Sequence, residues 1–84
     1  MLYPPEPTQE EEVAQQISAL GDSVKVIDKL LELNVKTEEN LDCMKRNADH
    51  IHIMCEKKHI KEFGVDLAPY LDKANEGLEW INGA

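Results

Sequence analysis

Aromatic residues are scarce in this 84-residue chain: Tyr3, Phe63, Tyr70 and Trp80 are all of them. Any core must therefore be aliphatic, and a chain this short holds one domain at most. Bases are scarce too, nine Lys and Arg against seventeen Asp and Glu, for a formal charge of −8. Neutralising phosphates needs a basic surface, so direct binding of nucleic acid is not expected. A short acidic run, Glu10, Glu11 and Glu12, leaves mimicry of nucleic acid as an alternative to a solvated helix face. No apolar run approaches a membrane span or a signal-peptide core, so neither insertion nor secretion by that route is expected. A glycine-rich phosphate loop is also lacking.

The two cysteines, Cys43 and Cys55, are twelve positions apart. On one helix their separation is roughly 18 Å. A disulfide needs Cα atoms within about 7 Å, so the pair cannot close on itself, and a reduced, cytoplasmic chain is the expectation. Three of the four prolines fall in Met1 to Pro7, which predicts an extended arm over residues 1–8 and a single helical domain over 9–84.

What the chain does have is helical periodicity. Val13, Ile17, Leu20, Val24, Ile27 and Leu31 recur at steps of four and three, the spacing of a coiled-coil-like seam. Thr8, with Glu11 three residues on, predicts a capping box, and a helix over about 9–33 follows. Gly21 interrupts it at a cost of about 1 kcal/mol relative to Ala. Asn34 suits a left-handed residue just past the helix end. Thr37, ahead of Glu38 and Glu39, predicts a second N-cap. One uninterrupted helix would carry Glu38 and Lys45 into the seam, so a short turn and an antiparallel hairpin are preferred.

The second helix is expected over about 38–62, with Leu41, Met44, Ala48, Ile51 and Cys55 toward the first and Cys43 toward solvent. Gly64 should end it. Asp66 then caps a third helix, with Pro69 in its first turn and Val65 stapled to Tyr70. Leu67, Tyr70, Leu71, Ala74, Leu78 and Ile81 form its apolar face, Trp80 borders it, and Gly77 marks a close approach. The expected fold class is all-α: a long antiparallel helical hairpin plus a short C-terminal helix.

Each long helix carries a second stripe: Ala19, Val26, Leu30 and Leu33 on the first, Ile53 and Ile60 on the second. A two-helix hairpin buries one face per helix, so these six residues are the expected interface, for a third helix, a second subunit or both. The charge is uneven as well. Residues 1–42 carry −7, residues 43–63 carry +2 and residues 64–84 carry −3, which favours side-by-side packing of the first two helices.

Candidate chemistry is thin. On a helical wheel His52, Cys55 and His59 fall within about 60° of one another, facing the first helix. Imidazole and thiolate at that spacing could ligate zinc, with Glu32 or Asp28 as a further ligand. Glu56 and His59 also spell the Glu-x-x-His pair of ferritin-like di-metal proteins, and a dimer would supply two copies. The His-Cys-His spacing is not an established structural-zinc pattern, Glu-x-x-His arises often by chance, and histidines edging a packed face are the preferred reading. The expectation is no cofactor, no metal and no catalysis, with His52, Cys55, His59 and Glu56 as the ligands if an ion is held.

Residues Arg46 to Met54, then Phe63-Gly64-Val65-Asp66-Leu67, Ala74, Gly77 and Trp80-Ile81, resemble small helical proteins encoded by tailed bacteriophages. In those, an Arg-Asn-x-x-His helix, an Asp-Leu-x-Pro turn and an Ala-x-x-Gly helix recur. The resemblance spans residues 44–81 and implies a phage origin, in the host cytoplasm, with no assigned activity. It points to Arg46, Asn47 and His50 as a shared polar set. The function expected is an accessory protein acting through protein–protein contact and self-association. A virion component and a metal-binding helical dimer are the alternatives.

Overall fold

The computed structural model describes residues 9–83. The proline-rich arm and the Thr8 capping box lie outside them. Helix α1 spans Gln9–Leu33, α2 Glu38–Glu56, α3 Lys58–Lys61 and α4 Ala68–Asn82. The described residues are all-α: α1 and α2 pack antiparallel and α4 packs on both. No described helix is long and apolar enough to cross a membrane.

The hairpin forms where its turn residues require it. Asn34 takes φ 51°, and its N–H donates to the Leu30 carbonyl at 2.9 Å, closing α1. Thr37 Oγ1 accepts the Asn40 N–H at 3.1 Å, so one free donor at the start of α2 is capped. Asn40 then donates its side-chain amide to the Val35 carbonyl at 2.7 Å, tying the turn to the helix it precedes.

The core is aliphatic, as the shortage of aromatics requires. Leu20, Ile27 and Leu30 from α1, Met44, Ala48, Ile51 and Cys55 from α2, and Ala74 from α4 form one buried cluster. Val24, Leu31, Leu67, Tyr70, Leu71, Leu78 and Ile81 pack around it, half-buried. Gly77 is buried where α4 meets the hairpin, and a Cβ there would lie 2.6 Å from Met44 Sδ. The close approach expected at this glycine is thus to a side chain, which occupies the space a methyl group would fill.

One boundary differs from the sequence expectation. The second helix does not run to residue 62: Lys57 takes φ −70°, ψ 132°, an extended conformation between α2 and α3. On an unbroken helix Ile60 would project half a turn away from Ile51, into water. The break swings it inward, and Ile60 is 0% exposed. Burying an isoleucine is worth roughly 1.5–3 kcal/mol, enough to offset the helical hydrogen bonds given up at Lys57. Gly64, at φ +91°, then turns the chain toward α4. Asp66 accepts the Ala68 N–H through Oδ1 at 3.1 Å, while Leu67 occupies the cap position itself.

Candidate interaction face

Three cross-helix hydrogen bonds fix how the helices sit. Each uses one of the chain's three histidines. His50 Nδ1 shares a hydrogen bond of 3.0 Å with the hydroxyl of Ser23, the buried polar residue of α1. His52 Nε2 donates to Asn75 Oδ1 of α4 at 3.0 Å. His59 Nε2 donates to Gln16 Oε1 of α1 at 2.8 Å. A ring nitrogen that donates an N–H has no lone pair for a metal.

The histidine face expected of the second helix is therefore taken apart. His52 looks toward α4 rather than α1, and His59 lies beyond the break at Lys57. Cys55 is buried, and burial pushes its thiol up. Glu56 and Glu32 are exposed. Asp28 takes Lys73 of α4 at 2.6 Å. Among the described residues no group of three or more His, Cys, Asp or Glu could hold a metal ion.

α1 and α2 pack side by side, as the charge pattern favours, and an ion pair ties α4 to them as well. Lys73 joins Asp28 of α1 to Glu76 of its own helix, at 2.6 and 3.1 Å. Those two hydrogen bonds, set against a smaller desolvation penalty, hold the Lys73 ammonium above its ordinary range. Arg46 pairs with Asp42, and Lys58 with Glu62, each within one turn and largely exposed. The cross-helix bridge shown here thus runs from α1 to α4.

The six residues expected at an interface divide. Leu30 and Ile60 belong to the chain's own buried set, and Ala19 is half-buried. Val26, Leu33 and Ile53 are 37, 57 and 59% exposed. By helical geometry Ala19, Val26 and Leu33 share the flank of α1 turned away from α4. Cys43 and His50 share the corresponding flank of α2, with Ile53 at its edge. Cys43 is half-buried there rather than turned out to solvent, and Asn47 Nδ2 lies 3.6 Å from its sulfur. One face of the hairpin is covered by α4; among the described residues nothing covers this one, along α1 and α2.

A separate open groove of about 320 Å³ lies where α1 begins and α3 ends, lined by Glu10, Val13, His59, Glu62 and Phe63. Phe63 is 41% exposed.

At the far end, Trp80 of α4 donates its indole N–H to Asn34 Oδ1 at 2.9 Å. The Lys36 ammonium sits 5.2 Å from the centre of its ring. The hairpin turn is thereby held by the last helix, a contact the sequence did not announce. No family model, curated protein or solved structure matches the chain.

Proposed function

We propose that this chain acts without catalysis, by binding another protein through the uncovered face of the α1–α2 hairpin. The observation that carries the reading is the apolar strip left after folding. Val26, Leu33 and Ile53 stay exposed although α4 is available to cover apolar surface, and apolar side chains aligned along one face mark contact surfaces more often than scattered ones do. The chemistry-bearing side chains support the same reading. Cys55 is shut in with its thiol raised, and each histidine is engaged in joining helices. The resemblance of residues 44–81 to small helical phage proteins supports reading this chain as a phage accessory protein, with a protein of the host or phage as its partner in the host cytoplasm.

The test is affinity capture from expressing cells, comparing wild type with Val26→Asp and Leu33→Asp. Both positions are exposed, so circular dichroism should show helicity retained. A partner captured by wild type and lost from both variants supports the proposal. Capture unchanged by either substitution would refute this face as the binding surface. Phe63→Ser, in the separate groove, is the control expected to leave capture intact.

A further inference from the structure

We propose that Asn82 and Gly83 form a self-modifying site, at which the Asn82 amide is lost to the neighbouring backbone whenever the last turn of α4 releases. The inference is independent of the open face. Among the asparagines only Asn82 is followed by glycine. It also differs from the others in what its side chain does. Asn34 accepts from Trp80, Asn40 donates to Val35, Asn47 donates to Cys43, and Asn75 accepts from His52. Asn82 is exposed and, among the described residues, its side chain takes part in no such bond.

The chemistry needs only water. The backbone nitrogen of Gly83 gives up its proton to solvent and attacks Cγ of Asn82. A nitrogen–carbon bond forms, the bond from Cγ to the side-chain nitrogen breaks, and that nitrogen takes a proton from solvent and leaves as ammonia. The product is a cyclic imide. Water then opens it at either carbonyl, giving aspartate or, where the main-chain bond is the one cut, isoaspartate. An amide and a water have become a carboxylate and an ammonium, and nothing is oxidised. Glycine favours the step because a Cβ on residue 83 would crowd the attacking nitrogen.

The fold holds this reaction back. Asn82 is the last residue of α4, and the Gly83 N–H donates to the Glu79 carbonyl at 2.9 Å. The electron pair uncovered by losing that proton would face the Glu79 oxygen rather than Cγ of Asn82. Attack therefore requires the last turn to open and the peptide plane to swing round. Helix ends open readily unless something holds them. Here Trp80 donates its indole N–H to Asn34 in the hairpin turn, with Lys36 over its ring, and Ile81 packs against the core. This clamp sets the rate.

The change runs one way. Isoaspartate adds an atom to the main chain, so the Gly83 bond to Glu79 cannot be rebuilt in register. Aspartate places a charge at the negative end of the α4 dipole. Lys36 is the cation beside it, its Nζ 3.8 Å from where a Cβ on residue 83 would stand.

The test is mass-spectrometric peptide mapping of the full chain held in mildly alkaline buffer, with fragmentation that separates aspartate from isoaspartate. Residue 82 should be the first asparagine converted. Folded protein should convert at least about tenfold more slowly than protein in guanidinium chloride, the ratio that reports the closed last turn. Asn34→Gly keeps the left-handed backbone and removes the acceptor of Trp80, so it should speed conversion about threefold or more with helicity retained. Ile60→Val weakens packing at the opposite end of the molecule and should leave the rate within about twofold.

Equal rates in folded and unfolded protein would overturn the proposal, because the helix would then hold nothing back. So would first conversion at another asparagine, or a rate unmoved by Asn34→Gly. Ile60→Val speeding conversion as much as Asn34→Gly would overturn it too, since the reaction would then follow global unfolding rather than release of α4.

Discussion

At the scale of single residues, the sharpest constraint is the contact between Gly77 and Met44. A methyl group at residue 77 would stand 2.6 Å from Met44 Sδ and 3.4 Å from Ile27 Cγ2. Met44 is wholly buried, so its thioether could make room only by shifting within the core. Gly77→Ala gains about 1 kcal/mol of helix propensity and meets an overpacking cost of about 1–3 kcal/mol. The expected outcome is a net loss of about 1 kcal/mol in urea unfolding, and a cycle with Met44→Ala should show the two costs to be coupled. Stabilisation by Gly77→Ala would mean that α4 does not sit this close. The two cysteines differ in the same local way. Cys43 is half-buried, whereas Cys55 is buried with its thiol raised. The thiolate is the reactive form. Mass spectrometry after brief alkylation at pH 8 should find Cys43 modified first, and Cys55 only as the fold opens.

At the scale of elements, the break at Lys57 is the feature with the largest consequence. It makes Ile60 a core residue, so Ile60→Ala should cost about 2–5 kcal/mol in denaturant unfolding. On a helix running unbroken to residue 62, the same change at a solvent-facing position would cost less than about 0.5 kcal/mol. The sequence hides this break for a physical reason. Glu56, Lys57 and Lys58 are sound helix formers, with no glycine or proline to stop the chain. Only tertiary burial of Ile60 favours leaving the helix there.

Where local chemistry governs, the reading from residues holds. The end of α1, the left-handed Asn34 and the Thr37 cap all follow from local chemistry acting on nearby backbone. Contacts between distant residues were not legible. Ser23 beside His50 and Trp80 beside Asn34 pair partners 27 and 46 positions apart, and periodicity says nothing of such meetings. The histidine face failed by the same route, since each ring found a hydrogen-bond partner on another helix. Asp28 and Lys73 form a comparable long-range pair, and its pH dependence has a definite sign. The folded Lys73 ammonium is held above its ordinary range, so its contribution is complete below the unfolded value and lost as pH rises through the folded one. Lys73→Met should therefore reduce the loss of stability measured at strongly alkaline pH, and an unaltered alkaline slope would discount the bridge.

At the scale of the whole molecule, the question is whether α4 is a separate lid or part of one cooperative unit. Its contacts run the length of the hairpin. Lys73 holds Asp28, Asn75 accepts from His52, Gly77 meets Met44, and Trp80 grips the turn at Asn34. Undocking it would uncover Ile27, Met44 and Ala48 together, a large part of a core that is already small. A chain of this length cannot keep two independent cores, so its unfolding should be all-or-none. Trp80 is the only tryptophan and sits at the junction of α4 with the hairpin turn, so its fluorescence reports docking while far-UV circular dichroism reports helix. In urea the two curves should superimpose, with a slope near 1 kcal/mol per molar, the low end for small proteins. A fluorescence change that precedes the loss of helix would show that α4 leaves first, and the hairpin would then have to hold its exposed core unaided.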